Sequence, residues 1–286
     1  MTVRIVTDSA CDLPAEVIAE NGITVVPLYV NFGSESYLDG VEMSRGEFYA
    51  RPPSALPPPA TSAPGTATFT GIYRRLIDEG ASGILSIHIG SALSNVCNVA
   101  RMAAASIGEV PVRVLDSGLI TLGTGLLAAQ AAVLAASGAA LDSIVASVET
   151  LANRMHSIAA LDTLEYLRRG GRVSLLKFSV GTLLQIKPML KMHAGKIVTD
   201  RARTSGGAIR KLLDLAARLG PLESIALVHA SALDRLEQLR REVEARFPGV
   251  PIRMVGEVAP VVGAHVGPRS VGVIYVKAPA AGLEGS

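Results

Sequence analysis

At 286 residues, with 49% hydrophobic and 18% charged side chains, the chain has enough apolar material for two ordinary domains and too much to be disordered. Its 27 Lys and Arg against 25 Asp and Glu leave a net charge of only +2, with no basic block or aromatic-interleaved stripe, so nucleic acid is not the expected partner. Cys11 and Cys97 have no partner spacing, as suits a reducing compartment, and no apolar leader precedes Asp8, so the expected location is cytoplasmic.

In chain order, the first half alternates strand and helix: 3–7, 14–20, 23–30, 66–78, 84–89, 94–105 and 112–115, followed by a long Ala-rich helix. Short continuous apolar runs such as Ile84-Leu85-Ser86-Ile87 are those of strands buried on both faces, which predicts a parallel sheet covered by helices. Ligands of such sheets sit beyond the strand C-terminal ends. Between them, 52–65 reads as an irregular segment with six prolines that ends in Thr61-Ser62-Ala63-Pro64; loops of this length often carry function.

The stretch 117–141 lacks any charged residue and is long enough to cross a bilayer. It carries four glycines, is Ala-rich rather than Leu-rich, and is flanked by Asp116 and Asp142, which points to a buried helix instead of a transmembrane segment. With Asp142 as N-cap, a helix is expected to run to about Met155. A short helix around 164–168, a Gly170-Gly171 break, a hairpin of 186–192 with 196–199, a strand at 225–229, a charged helix to Phe247 and strands near 252–255 and 271–276 follow. Hairpins mixed with crossovers predict a mixed sheet. The expected organisation is an N-terminal α/β domain over 1–156, a C-terminal α/β domain over 157–278, and a frayed tail at 279–286.

Four separated motifs resemble those of the DegV family. Thr7-Asp8-Ser9-Ala10-Cys11-Asp12-Leu13-Pro14 is similar to its opening T-D-S-x-x-D-L-P, and Thr61-Ser62-Ala63-Pro64 to T-S-x-P. Ser91-Ala92-Leu93-Ser94 matches S-x-L-S, and 164–172, Leu-Glu-Tyr-Leu-Arg-Arg-Gly-Gly-Arg, matches L-x-Y-L-x-x-G-G-R. Ile186-Lys187-Pro188, Ala202-Arg203-Thr204 and His265-Val266-Gly267-Pro268 fall in the family's order as well. The resemblance implies a three-layer α/β/α N-terminal domain with a parallel sheet and a C-terminal α/β domain with a mixed sheet. A long-chain fatty acid would lie between them, in a carrier with no catalytic residue and no cofactor of its own. It implies carboxylate ligands at Thr61, Ser62, Ser94 and His265, and a partner, the ATP-using subunit of fatty acid kinase, met by Arg172 and Arg203. Asp8, Ser91 and Arg269 are secondary candidates. The chain departs from the family at Gly90 and Asn95-Val96 around S-x-L-S, and at Arg269, which adds a cation beside the proposed head group.

Each residue also has a plainer reading. Ser94 can cap the helix that follows it, Arg172 can cap the helix before it, His265 can be a satisfied core histidine, and Asp8 can order the turn after the first strand. An enzymatic alternative makes Ser94 a nucleophile, His265 its base and Asp8 the orienting acid of a hydrolase or acyltransferase, although no G-x-S-x-G elbow is present. His88, His156, His193 and His229 show no metal-ligand spacing. The G-x-G-x-x-A match at 123–128 begins too far beyond the preceding strand for a dinucleotide loop.

Overall fold

The computed structural model describes residues 2–52, 56–172 and 186–279. The first strand, β1 (Val3–Asp8), runs into a 3-10 turn at Ser9–Cys11, α1 (Ala15–Glu20) and β2 (Thr24–Val26). Further along, α3 (Thr66–Asp78), β6 (Gly83–His88), α4 (Val96–Ala104), β7 (Val112–Asp116), α5 (Leu122–Ala136) and α6 (Leu141–Ala152) complete the alternation. The sheet order is β2-β1-β6-β7 and every pairing is parallel. All six residues of β6 are buried, as a strand covered on both faces requires. The uncharged stretch 117–141 folds as α5 and the beginning of α6, with a turn at Gly138 (φ +83°) between them, and among the described residues no helix is long and apolar enough to cross a membrane.

The expected strand over 23–30 is two strands. Pro27, which has no N–H to give to a ladder, ends β2, and the chain continues as β3 (Tyr29–Phe32) into a separate antiparallel sheet with β4 (Glu35–Leu38) and β5 (Ala60–Ser62), in the order β4-β3-β5. The segment read as irregular therefore ends in a strand, with Thr61 opposite Val30. A helix the pattern did not predict, α2 (Arg45–Ala50), is closed by a capping box in which Ser44 and Glu47 satisfy each other's backbone N–H groups. Asp142 is not the N-cap it was expected to be. Ala140 holds that position, and Asp142 sits in the first turn of α6, where a carboxylate favours the helix dipole. That helix stops at Ala152, because Met155 already belongs to β8.

The remaining elements are β8 (Met155–Ala160), α7 (Glu165–Arg169), β9 (Lys187–His193), β10 (Lys196–Ala202), α8 (Ser205–Ala217), β11 (Leu222–His229), α9 (Leu233–Arg246), β12 (Ile252–Glu257), α10 (Pro260–Val266) and β13 (Val271–Lys277). Six strands form a mixed sheet, β10-β9-β8-β13-β11-β12, in which only the β11–β12 pair is parallel. From residue 280 on, the tail expected to fray lies outside the described residues.

Alternation along the strands divides this sheet into two faces. Ile158, Ile225, Leu227, Val273 and Tyr275 pack under α8 and α9. Ala226, Val228, Ile274 and Val276 instead join the apolar core of the parallel sheet. The hairpin tip between β9 and β10 reaches across as well, Gly195 N donating to Gly118 O at 3.1 Å. The space between the parallel sheet and the mixed sheet is where the candidate site lies.

Candidate functional site

Two facing motifs build the mouth of the site. Proline at N1 starts α10 with its φ preset and no orphan N–H, and Gly267 (φ +72°) ends it, so His265 stands in the last turn. A Cβ on Gly267 would run into the Tyr166 ring, and one on Gly170 into the His265 imidazole. The glycines of G-G-R and H-x-G-P are thus two halves of one close packing of α7 against α10.

His265 Nε2 and Thr61 Oγ1 share a hydrogen bond of 2.8 Å, although 204 residues separate them in the chain. Thr61 reaches this position because β5 is zipped to β3, which leaves the first sheet at Pro27. His265 Nδ1 is buried without a hydrogen-bond partner among the described residues. Burial, and then the Arg172 guanidinium, push the His265 pKa down to about 4, so the ring is neutral at pH 7. Ser62, the next residue on the strand, is exposed and its Oγ accepts from Asn31 Nδ2 at 3.2 Å.

Ser94 does not cap α4. The N-cap is Asn95, without a side-chain capping bond, and Ser94 lines the same cavity as Thr61, Ser62, Asn95, Arg172 and His265. Arg172 does close the end of α7: Nη1 donates to Gly170 O at 2.9 Å, while Nη2 approaches Leu93 O at 3.5 Å. Arg172 thus closes α7 and also lines the mouth. The cavity volume at the mouth is about 180 Å³.

Behind the polar mouth the lining turns apolar. Leu93, Ile120, Leu190, Val262 and Val266 line both the mouth and a second chamber of about 70 Å³, so the two adjoin. One wall of the chamber is the inner face of the mixed sheet, read directly from register: the row Leu190, Ala159, Gly272, Val228 crosses β9, β8, β13 and β11, and the row Met192, Ser157, Ile274 lies beside it. Ala159 and Gly272 at the centre of the first row leave a groove. Gly272 was visible in the sequence as an isolated glycine in a strand pattern, a sign of close approach, but only the register shows what approaches.

The other candidates lie elsewhere. Asp8 is fully buried; Oδ1 accepts from Ala10 N at 3.1 Å and Oδ2 from Ile89 N at 3.0 Å, and Oδ2 also pairs with His88 Nδ1 at 2.9 Å. It orders the turn after β1 and does not line the mouth. With Asp8 on His88, the Ser94, His265, Asp8 relay of a hydrolase is not assembled. Ser91 is exposed, its backbone N–H bound to Asp116. Arg203 is exposed beside Thr204, the N-cap of α8. Arg269 was expected to bring a cation to the head group; its guanidinium instead pairs with Asp234 Oδ2 at 2.9 Å on α9, held there by a backbone in the left-handed region (φ +64°). Among the described residues no group of three or more His, Cys, Asp or Glu is placed to hold a metal ion.

The model of the DegV family, described as one of uncharacterised proteins, matches residues 2–278. The chain belongs to the DegV family. A DegV domain-containing protein of Streptomyces coelicolor is 38% identical over 276 residues, covering 95% of this chain and 97% of the relative. Among solved structures, a DegV family protein from Thermus thermophilus described by its fatty acid binding superposes with a TM-score of 0.87 at 31% identity, over 97% of this chain and all of that one. DegV of Bacillus subtilis, described as a fatty acid binding protein, gives a TM-score of 0.86 at 27% identity, over 97% and 100%. The parallel sheet followed by a mixed sheet is therefore the DegV architecture.

Proposed function

We propose that this DegV protein holds one long-chain fatty acid, with the carboxylate at Thr61, Ser62, Ser94 and His265 and the acyl chain in the apolar chamber behind them. The observation that carries the reading is a mouth lined by hydroxyls, a neutral imidazole and the Arg172 guanidinium, set beside a chamber lined mainly by aliphatic side chains. Hydroxyls and a neutral imidazole orient a carboxylate, and the Arg172 guanidinium in the same lining favours its charged form. About 15 methylenes at ~0.8 kcal/mol each set an upper bound of ~12 kcal/mol before ordering costs, so the tail supplies most of the affinity and the mouth chooses direction. The DegV structures described as fatty acid binding support the same reading.

In this reading the protein is a cytoplasmic carrier of two domains, 1–156 and 157–278, that presents the carboxylate to a separate ATP-using kinase subunit for acyl phosphate formation. Arg172 at the mouth is suited to phosphoryl oxygens because its planar guanidinium offers a bidentate fork, and the exposed Arg203 would extend the contact. Delipidated protein titrated with a fluorescent fatty acid tests the binding step: saturation at one site per chain is expected, and no saturable binding would refute it. Adding such a kinase subunit and ATP tests the second step, with acyl phosphate formed only when the loaded carrier is present; equal turnover of free fatty acid would remove the carrier role.

A further inference from the structure

One polar group in the apolar chamber has no task in fatty acid binding as described. Ser157 on β8 is 7% exposed, lines the chamber, and its Oγ has no hydrogen-bond partner among the described residues. Its register neighbours on the same face are Met192 and Ile274, both apolar. A buried hydroxyl left unpaired costs stability that an apolar residue of similar size would not, so its presence among aliphatic side chains calls for a partner that is absent from the protein itself.

The surroundings of this hydroxyl are polar only on one side. A Cβ built on Gly123 would come within 2.9 Å of Ser157 Oγ, which places the hydroxyl against the first turn of α5, the helix whose N-cap is Thr121. Thr121 also lines the chamber and takes a left-handed backbone (φ +57°) that β-branched residues rarely adopt, and its side chain makes no capping bond. Ser270, the remaining hydroxyl in the wall, already donates to Val266 O at 2.8 Å. Among the described residues no Asp, Glu, Lys or Arg lines the chamber, so a second carboxylate would be buried there without a counter-ion, whereas an uncharged oxygen needs none.

We infer that Ser157 and Thr121 form a polar station inside the acyl tunnel that takes a hydroxyl on the chain, making hydroxylated long-chain fatty acids a preferred ligand class of this protein. The inference rests on the fatty acid reading above and deepens it: the mouth fixes the carboxylate, and the station selects chains whose oxygen falls at the right distance from it. Only one or two positional isomers can satisfy both ends at once.

The test is competition between stearate and a positional series of monohydroxystearates on delipidated protein, repeated with Ser157→Ala, with thermal melting to confirm that the variant folds. One isomer or two adjacent ones should bind the wild type roughly three- to tenfold more tightly than stearate, the range of one net hydrogen bond. Ser157→Ala should abolish that advantage, so that no isomer binds the variant more tightly than stearate binds the same variant. A wild type that favours no isomer, or a preference that survives Ser157→Ala, overturns the station while leaving the fatty acid reading in place. Failure of stearate and every isomer to bind would overturn the fatty acid reading itself.

Discussion

Replacing Ala159 by Leu tests the route of the acyl chain. Ala159 faces the chamber between Leu190 on β9 and Gly272 on β13, and it lines the apolar chamber but not the mouth. The larger side chain adds three carbons where the tail would run and displaces about three methylenes. At ~0.8 kcal/mol each this costs about 2.4 kcal/mol, roughly a fiftyfold weaker Kd for chains long enough to pass that point. Chains that end short of it lose nothing. Displacement of a fluorescent fatty acid by laurate, palmitate and stearate reads this as a change in length preference, with laurate least affected. Equal loss at every length, with an unchanged melting temperature, would show that Ala159 does not line the tail's path, and unchanged stearate binding would show that the tail lies elsewhere.

Ser94→Ala and His265→Ala should each weaken fatty acid retention by roughly ten- to a hundredfold, the loss of one hydrogen bond to a charged acceptor, while still unfolding cooperatively; retention equal to the wild type in both variants would dismiss the head-group assignment. Because burial holds the His265 pKa down at about 4, its contribution to stability is present above the unfolded value near 6.5 and is lost as pH falls toward 4. The wild type should therefore show a downward stability component across that window that His265→Ala lacks, read by thermal melts at a series of pH values. Asp39 has the opposite sign. It is 2% exposed, and burial, only partly offset by Ser9, Arg45 and the Val261 backbone, raises its pKa to about 7. Its contribution is present below about 4 and lost as pH rises through 7. Asp39→Asn should accordingly raise the melting temperature at pH 8 and change it little at pH 4, and stabilisation of equal size at both would contradict the titration argument.

The parallel sheet was legible because β1, β6 and β7 are continuous apolar runs with no competing period. The helix α2 was missed: its one signal is the Ser44 to Glu47 capping box, and six residues are too short for a periodic apolar face. The break at Pro27 decides whether Thr61 sits on a loop or on a strand, and one proline in an apolar run does not say to which sheet the chain goes next. The short helix α10, with Gly263 inside it and Pro260 at its start, lies below the length at which helical periodicity can be recognised. His265 was found through its H-x-G-P context, and its meeting with Gly170 and Thr61 belongs to tertiary packing. Arg269 shows the limit of sequence neighbourhood as evidence, since a left-handed backbone turns it away from the mouth toward Asp234. Ser157 had no signal of its own; its exposure to the chamber is fixed by pairing with β9 and β13, both distant in sequence.

Native mass spectrometry of the protein as purified from cells, followed by denaturing extraction, tests the central claim most directly. A mass increment of one long-chain fatty acid per chain, released on denaturation and identified as a free acid, is the expected result. Protein that carries no such increment, and takes none up when fatty acid is added, would contradict it.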